Sequence, residues 1–155
     1  TPRLLPAVLH SKREGAAFLS DGTGVAVRRR GDGRAEVLLL TAGERTTVQK
    51  RLTLDDVVMG VRLIGTARGL ACLRLEKRGP AAGTVIDVAR EAVCLRLTDG
   101  EILWRRALPA PGLYLPRREL ALGGDPLRLA FIHPEAAGLV VRTWLLPEAD
   151  DRRVR

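Results

Sequence analysis

Residues 92–108 read AVCLRLTDGEILWRRAL. Two runs rich in Val, Leu and Ile flank the dipeptide Asp99-Gly100. Glycine reaches positive φ at no steric cost, so Asp-Gly between apolar runs marks a tight hairpin. In the first run Val93, Leu95 and Leu97 alternate with Cys94, Arg96 and Thr98, which is the period of a strand.

The same pattern extends in both directions. GVAVRRR (24–30), AEVLLLT (35–41), VRLIGTA (61–67), LACLRLEK (70–77), TVIDV (84–88), PLRLAFIH (126–133) and LVVRTWLL (139–146) are further short apolar runs. Gly, Asp and Pro fill the gaps between them, including a second Asp-Gly at Asp32-Gly33. Many short runs with turn residues between them predict an antiparallel all-β domain. Helix signals are few. LTLDDVVMG (52–60) suggests one turn of helix, with Thr53 as N-cap and Asp56 three residues on. Residues 3–13 suggest another short helix, limited by Pro6. The expected organisation is an N-terminal segment (1–14), an all-β domain (15–146) and a polar C-terminal tail (147–155).

Two repeats suggest internal symmetry. ARGLACLRL (67–75) and AREAVCLRL (89–97) are 22 residues apart and share Ala, Arg, Cys, Leu, Arg and Leu at matching places. That spacing predicts equivalent strands in successive hairpins. GVRLI (60–64) aligns with GEILW (100–104) at an offset of 40, and Trp104 and Trp144 have the same separation. Roughly 40–45 residues is the period of a four-stranded propeller blade. Residues 85–108, VIDVAREAVCLRLTDGEILWRRAL, resemble one blade repeat of the quinoprotein-like and WD-like β-propellers. Gly100 and Trp104 match the Gly-x-x-x-Trp of those blades. Cys94, Arg96 and Asp99 depart from the small, acidic and Thr residues that the family carries there. The resemblance implies antiparallel hairpin repeats in a partial β-propeller-like arrangement, with Trp104 packed between neighbouring hairpins. A β-sandwich and a trefoil-like barrel are the alternatives, since a closed propeller needs at least four blades of this size.

The chain has 155 residues, 46% of them hydrophobic, and can bury a sizeable core. No apolar run approaches the roughly 20 residues of a membrane span, and the start lacks a long apolar leader segment. The expected setting is cytoplasmic, with no membrane association. Cys72 and Cys94 form no C-x-x-C pair and read as small buried apolar thiols.

Chemistry-bearing constellations are missing from the pattern. Ser11 and Ser20 lack a nucleophile-elbow motif. His10 and His133 leave little for a triad or a zinc site, and His133, before Pro134, reads as a turn residue. SDGTG (20–24) and RGDGR (30–34) lack the Lys-Ser/Thr of a phosphate loop. Asp55-Asp56 and Asp150-Asp151 are adjacent acids that point apart on an extended chain. The expectation is therefore a protein that is not an enzyme, with no catalytic, cofactor or metal residues.

Arginine is the informative residue. Of 26 basic residues only Lys12, Lys50 and Lys77 are lysines, and the net charge is +8. Leu-Arg-Leu occurs at 73–75, 95–97 and 127–129. On a strand each such arginine points away from the flanking leucines. Arg28, Arg29, Arg30, Arg62, Arg74, Arg96, Arg128 and Arg142 are thus the candidate interaction face, rimmed by acidic turns. Arginine forks bind carboxylate and phosphate. The aromatics are only Phe18, Trp104, Tyr114, Phe131 and Trp144, few for the stacking platforms of single-strand binders. A non-enzymatic protein-interaction or scaffold module in a larger assembly is the expected function. A basic accessory protein binding nucleic acid is the alternative.

Overall fold

The computed structural model describes residues 15–18, 22–41, 46–79, 88–109 and 119–150. The expected helix at 3–13 and most of the TVIDV run lie outside them. Among the described residues eleven strands form three antiparallel sheets. Sheet 1 holds β1 (Ala16–Phe18), β2 (Thr23–Arg29), β3 (Arg34–Thr41) and β4 (Thr47–Val57), in chain order. Sheet 2 holds β5 (Gly60–Ala67), β6 (Leu70–Arg78), β7 (Val88–Arg96) and β8 (Ile102–Leu108), also in chain order. Sheet 3 holds β9 (Leu120–Gly123), β10 (Arg128–Glu135) and β11 (Gly138–Leu145). The all-β antiparallel class matches the expectation from the sequence.

Turn chemistry accounts for the hairpins. Asp32 Oδ1 accepts from Arg34 N, and Asp99 Oδ1 accepts from Glu101 N. Each bond fixes the start of a turn whose next residue, Gly33 or Gly100, has positive φ. Gly100 also lies against sheet 1, where an added Cβ would meet Leu52 at 3.2 Å. Both demands select glycine there.

The sheets stack in order, with sheet 2 in the middle. Its two faces bury different residues, which is why its strands carry nearly continuous apolar runs. Val61, Leu63, Ala71, Leu73, Val93 and Leu95 join Val25, Val27, Val37, Leu52 and Leu54 of sheet 1 in one core. Leu70, Cys72, Ala92 and Cys94 join Leu129 and Phe131 of sheet 3 in a second. The first strands of the three sheets, β1, β5 and β9, are in contact from sheet to sheet.

Four expectations need correction. Residues 52–57 are strand rather than helix: Leu52 and Leu54 are buried while Arg51, Thr53 and Asp55 are exposed, and pairing with β3 overrides the local capping signal. His133 lies within β10, stacked on Phe131 at 5.2 Å, rather than in a turn. The 22-residue duplicate relates adjacent strands of one sheet, because β6 pairs directly with β7. The offset of 40 relates the first and fourth strands of sheet 2; β1 and β5 begin at Ala16 and Gly60, 60 − 16 = 44 residues apart.

A further correction concerns the thiols. Cys72 and Cys94 face each other in the β6–β7 register and are joined by a disulfide. The sequence predicts their burial but not their pairing, because spacing does not reveal strand register. Thiol reagents are expected to label neither cysteine without reductant, even in the unfolded chain. The Cys72→Ala, Cys94→Ala double variant should lose about 3 kcal/mol in urea titration, from the loop it opens.

Candidate interaction surface

The candidate arginines are divided among the three sheets, except Arg30, which follows β2. Arg28, on β2, meets Glu36 at 2.6 Å. Arg29 donates to the Val58 carbonyl, and Arg30 reaches Asp32 and Thr53. Arg62 is exposed on β5, opposite Arg74 in the register. Arg96 is held by Asp99 and Glu101, and Arg142 by Glu135 at 3.1 Å. Arg128 is exposed on β10.

Arg74 departs most from the expected solvent face. The face of β6 away from Leu73 and Leu75 is covered by sheet 3, so its guanidinium lies in the junction between sheets. There Glu119, just before β9, accepts from Arg74 and from Arg90, each at 2.6 Å. Glu119 and Arg90 are both 5% exposed at the side chain. Arg90 also donates to the Pro109 carbonyl, and Arg74 to Glu76. A cleft of about 400 Å³ opens beside this cluster, lined by Arg62, Arg74, Glu119 and the apolar side chains of β5 and β9.

A second network joins sheets 1 and 2. Asp56 of β4 takes Lys77 of β6 at 2.5 Å and Arg105 of β8 at 2.7 Å. Glu91 of β7 completes it, 2.7 Å from Lys77 and 2.9 Å from Arg105. Hydrogen bonds from Arg105 hold the Asp56 carboxyl far below the usual carboxylate range, against the opposing effect of burial. Burial alone would depress the Lys77 ammonium, but its bonds to Asp56 and Glu91 outweigh that and raise it. The folded pKa of Asp56 lies below its unfolded value of about 3.9, so its stabilisation is complete above that pH and lost as pH falls toward the folded value. Lys77 has the opposite sign, its contribution being lost as pH rises past about 10.4. Urea midpoints measured across acid pH should fall more steeply for the wild type than for Asp56→Asn. Parallel curves would remove Asp56 from the acid response.

Sheet 3 differs from the other two. Among the described residues it has three strands, and none lies beyond β11. Its face away from sheet 2 carries Ile132, Leu139, Val141 and Leu145. Leu139 is 74%, Val141 60% and Leu145 57% exposed. Scattered surface leucines are ordinary, whereas neighbouring aliphatics on one strand form a patch. The sequence run LVVRTWLL disclosed the strand but not its uncovered side.

No protein-family model matches the chain, and no curated protein matches it. Among the described residues no helix is long and apolar enough to cross a membrane.

Proposed function

We propose that this chain is a non-enzymatic protein-interaction module, a partial propeller-like stack of sheets that serves in a larger assembly. The observation that carries it is the uncovered aliphatic side of β11 at one end of the stack. Each of the other sheet junctions buries a comparable aliphatic face against a neighbour. A partner surface on sheet 3 continues that series. The charge pattern supports a protein partner over nucleic acid. Arg28, Arg74, Arg96 and Arg142 already meet carboxylates, which lowers the charge free to neutralise phosphates. The bonded Cys72–Cys94 pair favours an oxidising setting over the cytoplasmic one expected from sequence.

Affinity capture from nuclease-treated extract, with wild type and Val141→Glu side by side, tests the reading. A protein retained stoichiometrically by the wild type and lost by the variant supports it. Gel-shift titration of DNA and RNA supplies the opposing result. Micromolar binding at about 50 mM salt that collapses at about 200 mM would favour the nucleic-acid alternative.

A further inference from the structure

The two four-stranded sheets share a charge device that sheet 3 carries only in part. In sheet 1 the acid Glu36, on the third strand, meets Arg28 of the second strand at 2.6 Å and Arg51 of the fourth at 3.6 Å. In sheet 2 the acid Glu91, again on the third strand, meets Lys77 of the second at 2.7 Å and Arg105 of the fourth at 2.9 Å. In sheet 3 the third strand is β11. Its central charge is Arg142, and the second strand supplies Glu135 at 3.1 Å. The signs are inverted, two members are in place, and the fourth-strand member is the one without a counterpart in the described residues. All three devices lie on equivalent faces. Glu36 is on the side of sheet 1 away from sheet 2, Glu91 on the side of sheet 2 toward sheet 1, and Arg142 on the side of sheet 3 toward sheet 2.

Among the described residues no strand pairs with the outer edge of β11. Leu146 N donates to Leu127 O, and Leu129, Phe131 and His133 are paired with Trp144, Arg142 and Val140. Antiparallel pairs alternate, so the even-numbered residues of β11 bond to β10. The amides and carbonyls of Leu139, Val141, Thr143 and Leu145 therefore point away from β10. Natural edge strands are protected by charges and bulges. β4 has Lys50, Arg51, Asp55 and Asp56 and two register shifts in its pairing. β8 has Arg105 and Arg106 and one shift. β11 has Arg142 alone, in eight unbroken pairs with β10.

We infer that β11 accepts a fourth strand from a partner protein, an extended segment with a carboxylate facing Arg142 and aliphatic side chains beside Val141 and Leu145. This is strand addition, in which backbone bonds give affinity and alternate side chains give selectivity. It rests on the protein-interaction reading and names the partner's chemistry. A second copy fits poorly: its β11 would bring another arginine rather than an acid, on a chain of net charge +8.

The probe is a labelled synthetic peptide alternating valine and glutamate, with threonine at each end, against the same peptide with lysine for glutamate. Anisotropy titration of the full chain should show saturable binding of the acidic peptide, at least about tenfold tighter than the lysine peptide. Hydrogen exchange should show protection of the Leu139, Val141, Thr143 and Leu145 amides on binding. Thr143→Pro should abolish binding while keeping the fold, since that N–H makes no bond to β10. If that variant fails to fold, Val141→Lys tests the same edge. Equal binding of both peptides, protection elsewhere, or no binding of the acidic peptide at about 1 mM overturns the inference. So does sedimentation of the protein alone as a dimer whose β11 amides are already protected. Captured partners lost in Val141→Glu, with no peptide binding, would leave the interaction reading standing and remove only the strand-addition mode.

Discussion

Glu119→Ala is expected to lower the stability of the fold by about 3–5 kcal/mol, among the largest effects of any single change. Glu119 lies in the junction of sheets 2 and 3 and is 5% exposed at the side chain. One of its oxygens accepts from both Arg74 and Arg90. Removing the carboxylate leaves two guanidinium groups in a poorly hydrated place with no anion between them, and uncompensated buried charge is costly. Arg90 is the more exposed to this penalty in energy because it is the more buried in space: its side chain is 5% exposed against 19% for Arg74. Urea titration by circular dichroism measures the loss. Combining Glu119→Leu with Arg74→Met and Arg90→Met should recover much of it, because an apolar replacement of a whole buried ion cluster is often neutral or better. A loss below about 1 kcal/mol for Glu119→Ala would place the cluster in the range of solvent-exposed pairs.

The cluster also marks where sequence and structure part company. Leu-Arg-Leu at 73–75 announces a strand and puts Arg74 opposite its leucines, and both hold. It does not say what covers the opposite face. Here that face meets sheet 3, so an arginine expected in water sits beside Glu119. The strand acids are less legible still. Glu36, Asp56 and Glu91 lie on strands and organise the ion pairs, although their neighbours in sequence give no hint of a partner. A salt bridge between β4 and β8 joins residues 49 positions apart, and only sheet stacking brings them together. Hairpins are legible because Asp32-Gly33 and Asp99-Gly100 carry their turn chemistry locally. Junctions between sheets are not, since either face of an apolar strand can be the covered one. The β11 edge shows the same limit: LVVRTWLL predicts a strand equally well with or without a fourth strand beside it.

Trp104→Ala should cost about 3–5 kcal/mol, by loss of a large side chain from the same junction. Trp104 stands opposite Cys94 in the register of sheet 2 and meets Trp144 of sheet 3, ring centroids 5.8 Å apart at a tilt of 54°. Trp144 in turn stacks on Phe131 at 6.1 Å. The aromatic chain runs from the outer strand of sheet 2 into the core of sheet 3, so truncating its first member leaves a void that Trp144 cannot fill from the other side. Trp104→Phe keeps a ring and should cost much less. Glu119 and Trp104 hold one junction by different means. Once either is lost, sheet 3 is less firmly seated, and the second change removes less. The double variant should therefore fall short of the sum by at least about 0.5 kcal/mol, the scale on which coupled sites depart from additivity. Strict additivity would mean that the two contacts stabilise separate parts of the protein. A cost below about 1 kcal/mol for Trp104→Ala would make the tryptophan a surface residue, open to a partner rather than to sheet 3.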